Sequence, residues 1–385
     1  VRLGRCGRAR GNGFRSRPGS IDWLLAGSAV TLGILGALLV WSATRSGQLD
    51  HGGNPNAYLY RHLINVVIGL GLAIGASRLD ARHLRFFGPF VYIAGCLGLI
   101  AVFFIGSTIN GAHAWIRLPF GLEIQPAEFA KLGLVVGLAV MFTGRSVGRP
   151  PDAKPRTSDV LIALGLSAFP LALIMLQPDL GSAMVVAAAA FGVLLAAGVD
   201  ARWTVGLLVV GVVLAVAAVK AGALADYQLA RFSAFADPKA DPQGAAYNIT
   251  QARIAISHGG FFGQGLFHGH QTTGGFVPEQ QTDFIFSVAG EELGFAGSAA
   301  IIGLYGIVAW RALRIASRAD RTGSLVAIGI VCWFAFQVFQ NIGMNLGMTP
   351  VTGLPLPFVS YGGSSMFAGA LAIGLLQSVR RGARR

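Results

Sequence analysis

Apolar residues along this chain gather into ten long runs, at 21–42, 62–77, 86–105, 127–143, 159–177, 182–199, 203–220, 284–310, 323–345 and 364–379. A run of about 20 apolar residues is long enough to cross a bilayer as a helix, and shorter ones fit helices inside a bundle. The pattern therefore predicts an all-α polytopic membrane protein with about ten transmembrane helices. The first run, Ile21 to Trp41, reads as a span rather than as the hydrophobic region of a signal peptide. Between the seventh and eighth runs, 220–283 is rich in Gly, Pro and His and too polar to enter lipid. Loops of this length in compact domains are usually functional. Within it Tyr247, Gln251, Ile254, Ala255 and His258 keep helical spacing, which predicts a helix lying along the membrane surface. The domain organisation expected is a basic tail (1–20), a ten-helix membrane domain (21–379, with the long loop at 220–283) and a second basic tail (380–385).

Composition agrees with the pattern. Hydrophobic residues make up 54% of the 385 positions and charged residues 12%, half the share of soluble domains. A net charge of +13 can indicate nucleic acid, but here topology explains it better. Twenty-two of the 30 Lys and Arg fall on the side that holds both termini, seven on the other, and Lys131 within a span. Short basic loops stay cytoplasmic, so both termini are expected inside and segment 220–283 outside. Cys6, Cys96 and Cys332 are scattered without CxxC spacing, and the His268/His270 pair lacks further ligands. Neither a disulfide framework nor a metal site is indicated.

Ionisable groups within spans are costly and usually pair or line a cavity. Glu128 and Lys131, three apart, share a helical face. They read either as an ion pair locking the bundle or as a phosphate site with Lys131 neutralising charge. Asp179, after Gln177-Pro178, fits a cap at a tight turn. Gln337, Asn341 and Asn345 form a polar stripe suited to hydrogen bonds between helices. Asp283, Ser287 and Glu291 form another, with Glu291 about 12 Å deeper than Asp283 along one helix. Asp283 stands where the long loop becomes the eighth span. As a cap there it would be kept ionised by the helix dipole and ready to accept a proton.

Four motifs occur in order. They are Gln125-Pro126-Ala127-Glu128 with Lys131, and Gln177-Pro178-Asp179-Leu180-Gly181. The third runs from Pro278-Glu279 through Thr282-Asp283-Phe284-Ile285-Phe286 to Glu291-Glu292-Leu293-Gly294-Phe295. The fourth is Asn341-Ile342-Gly343-Met344-Asn345, followed by Leu354-Pro355-Leu356-Pro357-Phe358-Val359-Ser360-Tyr361-Gly362-Gly363. Together they resemble the SEDS family, the shape, elongation, division and sporulation proteins of bacterial cell-wall synthesis, over nearly the whole chain. Pro350 to Pro357 is more similar to the rod-shape (RodA) branch than to the division branch. One departure is Ala114, where many members carry an Arg before the Trp at 115; that job would fall to Arg117.

The resemblance implies a peptidoglycan glycosyltransferase of the inner membrane that polymerises lipid II into β-1,4 glycan during elongation. It implies Asp283 as catalytic base on the extracytoplasmic side. Lys131, Glu128, Arg231, Arg117, Gln177 and Ser360 are then expected to bind substrate, and Asp179, Glu291, Gly362 and Gly363 to support the site. Arg253 is a further outside cation. The resemblance singles out no cofactor, and a divalent cation could share the phosphate charge. The implied partner is a class B penicillin-binding protein, because the chain has no transpeptidase domain. A lipid II flippase and a non-catalytic scaffold remain alternatives; an ion-coupled transporter is weaker, since no pair of matching broken helices is visible.

Overall fold

The computed structural model describes residues 21–109, 112–117, 123–150, 153–220, 229, 231, 235 and 244–382. The basic tail at 1–20, Lys239, residues 383–385 and most of 221–243 lie outside the described residues. All ten apolar runs are helical. They form α1 (Trp23–Asp50), α2 (Ala57–Ser77), α3 (Ala81–Ile105), α4 (Pro126–Ser146), α5 (Thr157–Leu176), α6 (Leu180–Ala196) and α7 (Ala201–Lys220). After the long loop come α8 (Ala245–His258), α9 (His270–Thr273), α10 (Ile285–Glu292), α11 (Gly294–Ala316), α12 (Arg321–Leu346) and α13 (Gly363–Gly382). Seven of these are long and apolar enough to cross a membrane, and α6 is a shorter apolar helix. The chain is an all-α multi-pass membrane protein.

Local chemistry sets the helix ends. Asp22, Asp179 and Asp320 cap α1, α6 and α12 by accepting from the N–H groups of Leu25, Ser182 and Gly323. Near the start of α1, Asp22 also receives Arg311 at 2.5 Å and Arg380 at 3.4 Å. Its N–H donates to Gln377 at 2.8 Å. Those contacts put the first and last spans' outer ends at one end of the bundle, as an even number of spans requires.

α12 is the central helix, packed against α4, α6 and α11, while α7 lies at the edge against α6 with Val205, Val209 and Val212 exposed. α8 is the helix expected inside the long loop. It turns Ala246, Ile249, Ala252 and Ala255 onto α10 and α12 and so belongs to the packed body.

Two features depart from the pattern. Three short antiparallel strands, β1 (Ser107–Ile109), β2 (Ala112–Arg117) and β3 (Glu123–Ile124), join α3 to α4. They are too short to register as an alternating pattern. The eighth run, expected as one helix over 284–310, is broken between α10 and α11 at Gly294, which has φ +67°. A left-handed residue there is available cheaply only to glycine. The break frees main-chain groups that lipid cannot satisfy. The loop satisfies them: Gln264 and Gly265 donate to the carbonyls of Glu291 and Glu292, both at 3.0 Å. Phe295 and Ala296 donate to the carbonyls of Gly260 and Phe261, again at 3.0 Å.

Inside the bundle, Lys131 donates to Glu128 at 2.6 Å with both side chains essentially inaccessible. Lys131 also reaches Gln337 Oε1 at 3.3 Å and lies 5.1 Å from the Trp333 ring centroid. Of the two readings of this pair, the geometry is that of the internal ion pair. Replacing one member strands a buried charge, whereas replacing both does not. Lys131→Met should therefore lower stability by about 3–5 kcal/mol. Glu128→Gln/Lys131→Met should recover most of that loss, as measured by thermal unfolding in detergent.

Candidate active site

A cavity of about 700 Å³ lies where the long loop, the β-strands and the segment 350–365 meet the bundle. Asp283, Arg231, Arg61, Asn65, Trp115 and Tyr361 line it, with Asp179, Glu279, Gly362 and Gly363. That mixture is what a site for a charged, polyhydroxylated head group requires: a few convergent polar and cationic groups on partly apolar walls.

Asp283 reaches the cavity because its backbone is clamped. Its carbonyl accepts from the amides of Asn341 at 2.8 Å and Asn345 at 3.2 Å. Asn341 also donates to the Leu354 carbonyl at 2.7 Å, and Gln337 to that of Pro355 at 2.8 Å. The polar stripe of α12 thus holds two irregular segments, 281–284 and 350–357, as well as neighbouring helices, since Asn345 accepts from Ser287 N–H of α10 at 3.1 Å and Gln337 from Lys131 of α4 at 3.3 Å. Ser360 completes the clamp, donating to the Thr282 carbonyl at 2.5 Å and accepting from Leu356 N–H at 2.8 Å.

The expected cap at Asp283 is absent. The cap position of α10 is Phe284, and the carboxylate of Asp283 takes no part in it. Burial among protein groups, and next the charge of Glu279, push the Asp283 carboxyl up to about 7, and Arg231 partly offsets them. The reason for its state is desolvation, not a helix dipole. Gly353, at φ +72°, lies beneath both groups; a Cβ there would be 3.4 Å from Asp283 Oδ2 and 3.6 Å from Arg231 Nη1. Those distances are ordinary van der Waals contact, so what a side chain would strain here is the left-handed backbone, which is available cheaply only to glycine.

The remaining site candidates divide by position. Asp179, Gly362 and Gly363 line the cavity, and Asp179 is bound by Gln125 at 2.8 Å. Glu128, Lys131, Gln177 and Ser360, expected to bind substrate, are all buried and do not line this cavity. Gln177 donates to the Leu99 carbonyl at 2.8 Å, between spans. Arg117 is exposed on the strand hairpin, 3.5 Å from Glu123, and does not line the cavity. Ala114, the departure from the motif, is buried.

Glu291 is not a continuation of the Asp283 stripe into lipid. It accepts from Gln271 N–H at 2.7 Å, Thr272 N–H at 2.9 Å and Thr272 Oγ1 at 2.7 Å, pinning α9. Glu292 does the same for Phe267 N–H at 3.1 Å while accepting from Ser42 at 2.5 Å. Among the described residues no group of three or more His, Cys, Asp or Glu is gathered as a metal site.

Sequence reasoning passed over Arg61 and Asn65. Their four-residue spacing puts a cation and an amide on one face of α2, which was a usable signal.

Comparison with known proteins agrees with this architecture. Residues 22–385 match the family model FTSW_RODA_SPOVE, described as cell cycle protein. The probable peptidoglycan glycosyltransferase FtsW of Tolumonas auensis is 37% identical over 356 residues, 90% of this chain and 89% of that one. The peptidoglycan glycosyltransferase MrdB of Escherichia coli K12 is 37% identical over 347 residues, 90% of each. Among solved structures, one described as structural coordination of polymerization and crosslinking by a peptidoglycan synthase complex aligns with a TM-score of 0.78 at 33% identity. It covers 94% of this chain and 98% of that one. The rod shape determining protein RodA of Thermus thermophilus aligns with a TM-score of 0.68 at 31% identity, covering 94% and 97%. With a match across every described span and the rod-shape branch among its relatives in both sequence and structure, the chain belongs to the FtsW/RodA/SpoVE (SEDS) family.

Proposed function

We propose that the chain is a peptidoglycan glycosyltransferase that polymerises lipid II at the Asp283 cavity, in the elongation role of the rod-shape branch. The observation that carries this reading is one cavity holding a carboxyl near neutrality together with Arg231 and Arg61. The acceptor sugar's 4-hydroxyl oxygen forms the new bond to the donor's anomeric carbon as the bond to the lipid pyrophosphate breaks. The electron pair goes to the departing phosphate oxygen and the hydroxyl proton to Asp283. A base with a pKa close to the working pH combines adequate ionisation with adequate basicity. Arg61 and Arg231 replace Lys131 as the groups that face the developing pyrophosphate charge. A single displacement inverts the anomeric carbon and converts an α-linked donor into a β-1,4 product.

Positive charge gathered at the end bearing both termini supports a cytoplasmic location for that end and an extracytoplasmic cavity. Crosslinking of the product requires a separate transpeptidase, and a class B penicillin-binding protein is the partner this reading calls for.

Purified protein in detergent, where there is no second compartment to transport into, should convert lipid II into polymer. Asp283→Asn should lower that rate about 10²- to 10⁴-fold with the fold retained; undiminished polymerisation would exclude Asp283 as the base. Because the base acts when ionised, the rate should rise with pH through about 7 and level off above it. Arg231→Gln removes the charge that lowers the Asp283 pKa, so it should move the rising limb to higher pH. Gly353→Ala should reduce kcat about tenfold, equivalent to about 1.4 kcal/mol, with a smaller effect on KM.

A further inference from the structure

Tyr361 lines the cavity, yet proton transfer to Asp283 and charge neutralisation by Arg61 and Arg231 make no use of it. Its main-chain N–H donates to the Gln281 carbonyl at 2.9 Å, two residues before Asp283. Tyr361 is thereby tied to the irregular segment that carries the base. Its ring stands edge-on to Tyr58 of α2, with centroids 5.0 Å apart and planes at 64°. Arg61, three residues on and on the same face of α2, lies 6.0 Å from the Tyr58 ring centroid. Two tyrosines and an arginine thus form one cluster on the cavity wall.

A guanidinium has donors and no acceptor, and Arg61 directs a donor at the phenolic oxygen of Tyr361. A hydroxyl whose oxygen accepts in this way still has its own proton to donate, and the positive charge turns that proton away from Arg61. Burial raises the Tyr361 hydroxyl above its ordinary pKa and Arg61 offsets this only in part, so the group stays a phenol. It is a donor and not a second base. The protein carboxylate acting on it, Glu123, is engaged by Arg117 at 3.5 Å. An acceptor that meets the Tyr361 proton beside a guanidinium is best an anionic oxygen, because hydrogen bonds with a charged partner are the strong ones.

We propose that Tyr361 is a further catalytic residue, whose hydroxyl donates a hydrogen bond to the oxygens of the departing pyrophosphate beside Arg61. This rests on the glycosyltransferase reading. As the bond between the anomeric carbon and the phosphate oxygen breaks, the electron pair stays on that oxygen. Arg61 faces the charge, and the Tyr361 O–H bonds to it without giving up its proton. A neutral donor of this kind strengthens its contact as charge develops. It adds no further positive charge to retain the product afterwards.

Inorganic pyrophosphate, titrated into the detergent-purified protein at fixed ionic strength, is the probe. Tyr361→Phe deletes the hydroxyl and keeps both the ring against Tyr58 and the main-chain bond to Gln281. It should weaken pyrophosphate binding about tenfold or more. Tyr60→Phe, which removes a hydroxyl from an exposed residue outside the cavity lining, should leave binding unchanged. Arg61→Gln should also weaken binding. Tyr361→Phe/Arg61→Gln should lose less than the two single losses multiplied together, because the guanidinium directs the hydroxyl. With lipid II, Tyr361→Phe should lower kcat about 10²-fold with a smaller change in KM. The rising limb of its pH profile should stay near 7, since Tyr361 is not among the groups that shift Asp283. No pyrophosphate binding by the unaltered protein, equal binding by a folded Tyr361→Phe, or fully independent losses in the double variant overturns the assignment. Failure of the glycosyltransferase reading shows up differently, as lipid II left unpolymerised by the unaltered protein. The pyrophosphate titration then still decides whether the Tyr361 hydroxyl meets phosphate.

Discussion

Main-chain polar groups left unpaired in lipid each cost several kcal/mol, and the break between α10 and α11 creates such groups at the point where the long loop returns to the bundle. Residues 260–265 supply all four of the hydrogen bonds described there. The loop is thereby stitched to the broken span as a strand is to a sheet edge. Glu291 and Glu292 add side-chain bonds to α9 and to Phe267, so the same short stretch anchors the loop twice. The loop side of the cavity depends on that anchoring, because Gln281 to Asp283 lie between α9, which Glu291 holds, and α10.

The second layer of support comes from α12. Asn341, Asn345 and Gln337 direct their amides at the carbonyls of Asp283, Leu354 and Pro355, which have no partners in regular structure. The buried Lys131–Glu128 pair meets this layer through Gln337. A charge pair at this depth contributes order to the carbonyl-binding amides, not contact with substrate. Asp283 and Gly353 thus stand on irregular segments held by rigid spans, while Arg61 and Asn65 reach the same cavity from α2 itself.

Charge of both signs meets at the cavity. Arg61 and Arg231 line it beside the carboxylates of Glu123, Asp179, Glu279 and Asp283, and are the two cations among its described lining residues. Desolvation raises the Asp283 carboxyl and Arg231 holds it from rising further, so base strength depends on a residue of the loop. Loop conformation and proton affinity are in this way linked through the charge of Arg231.

Hydropathy alone determined that the ten apolar runs are helical, because burial in lipid demands long apolar runs whatever their partners are. The ordered motifs determined the family, and the position of Asp283 at a polar-to-apolar boundary marked it for chemistry. Tertiary structure decided what each polar residue does. Lys131, Gln177 and Ser360 are as polar as Arg61, and one-dimensional spacing cannot tell whether a side chain meets a cavity or a neighbour's carbonyl. The break at Gly294 likewise escaped detection, since an apolar run looks continuous until the loop that pairs with its exposed backbone is in place. Helices in a membrane follow from local composition, whereas a cavity follows from which irregular segments converge, and that convergence is a long-range property.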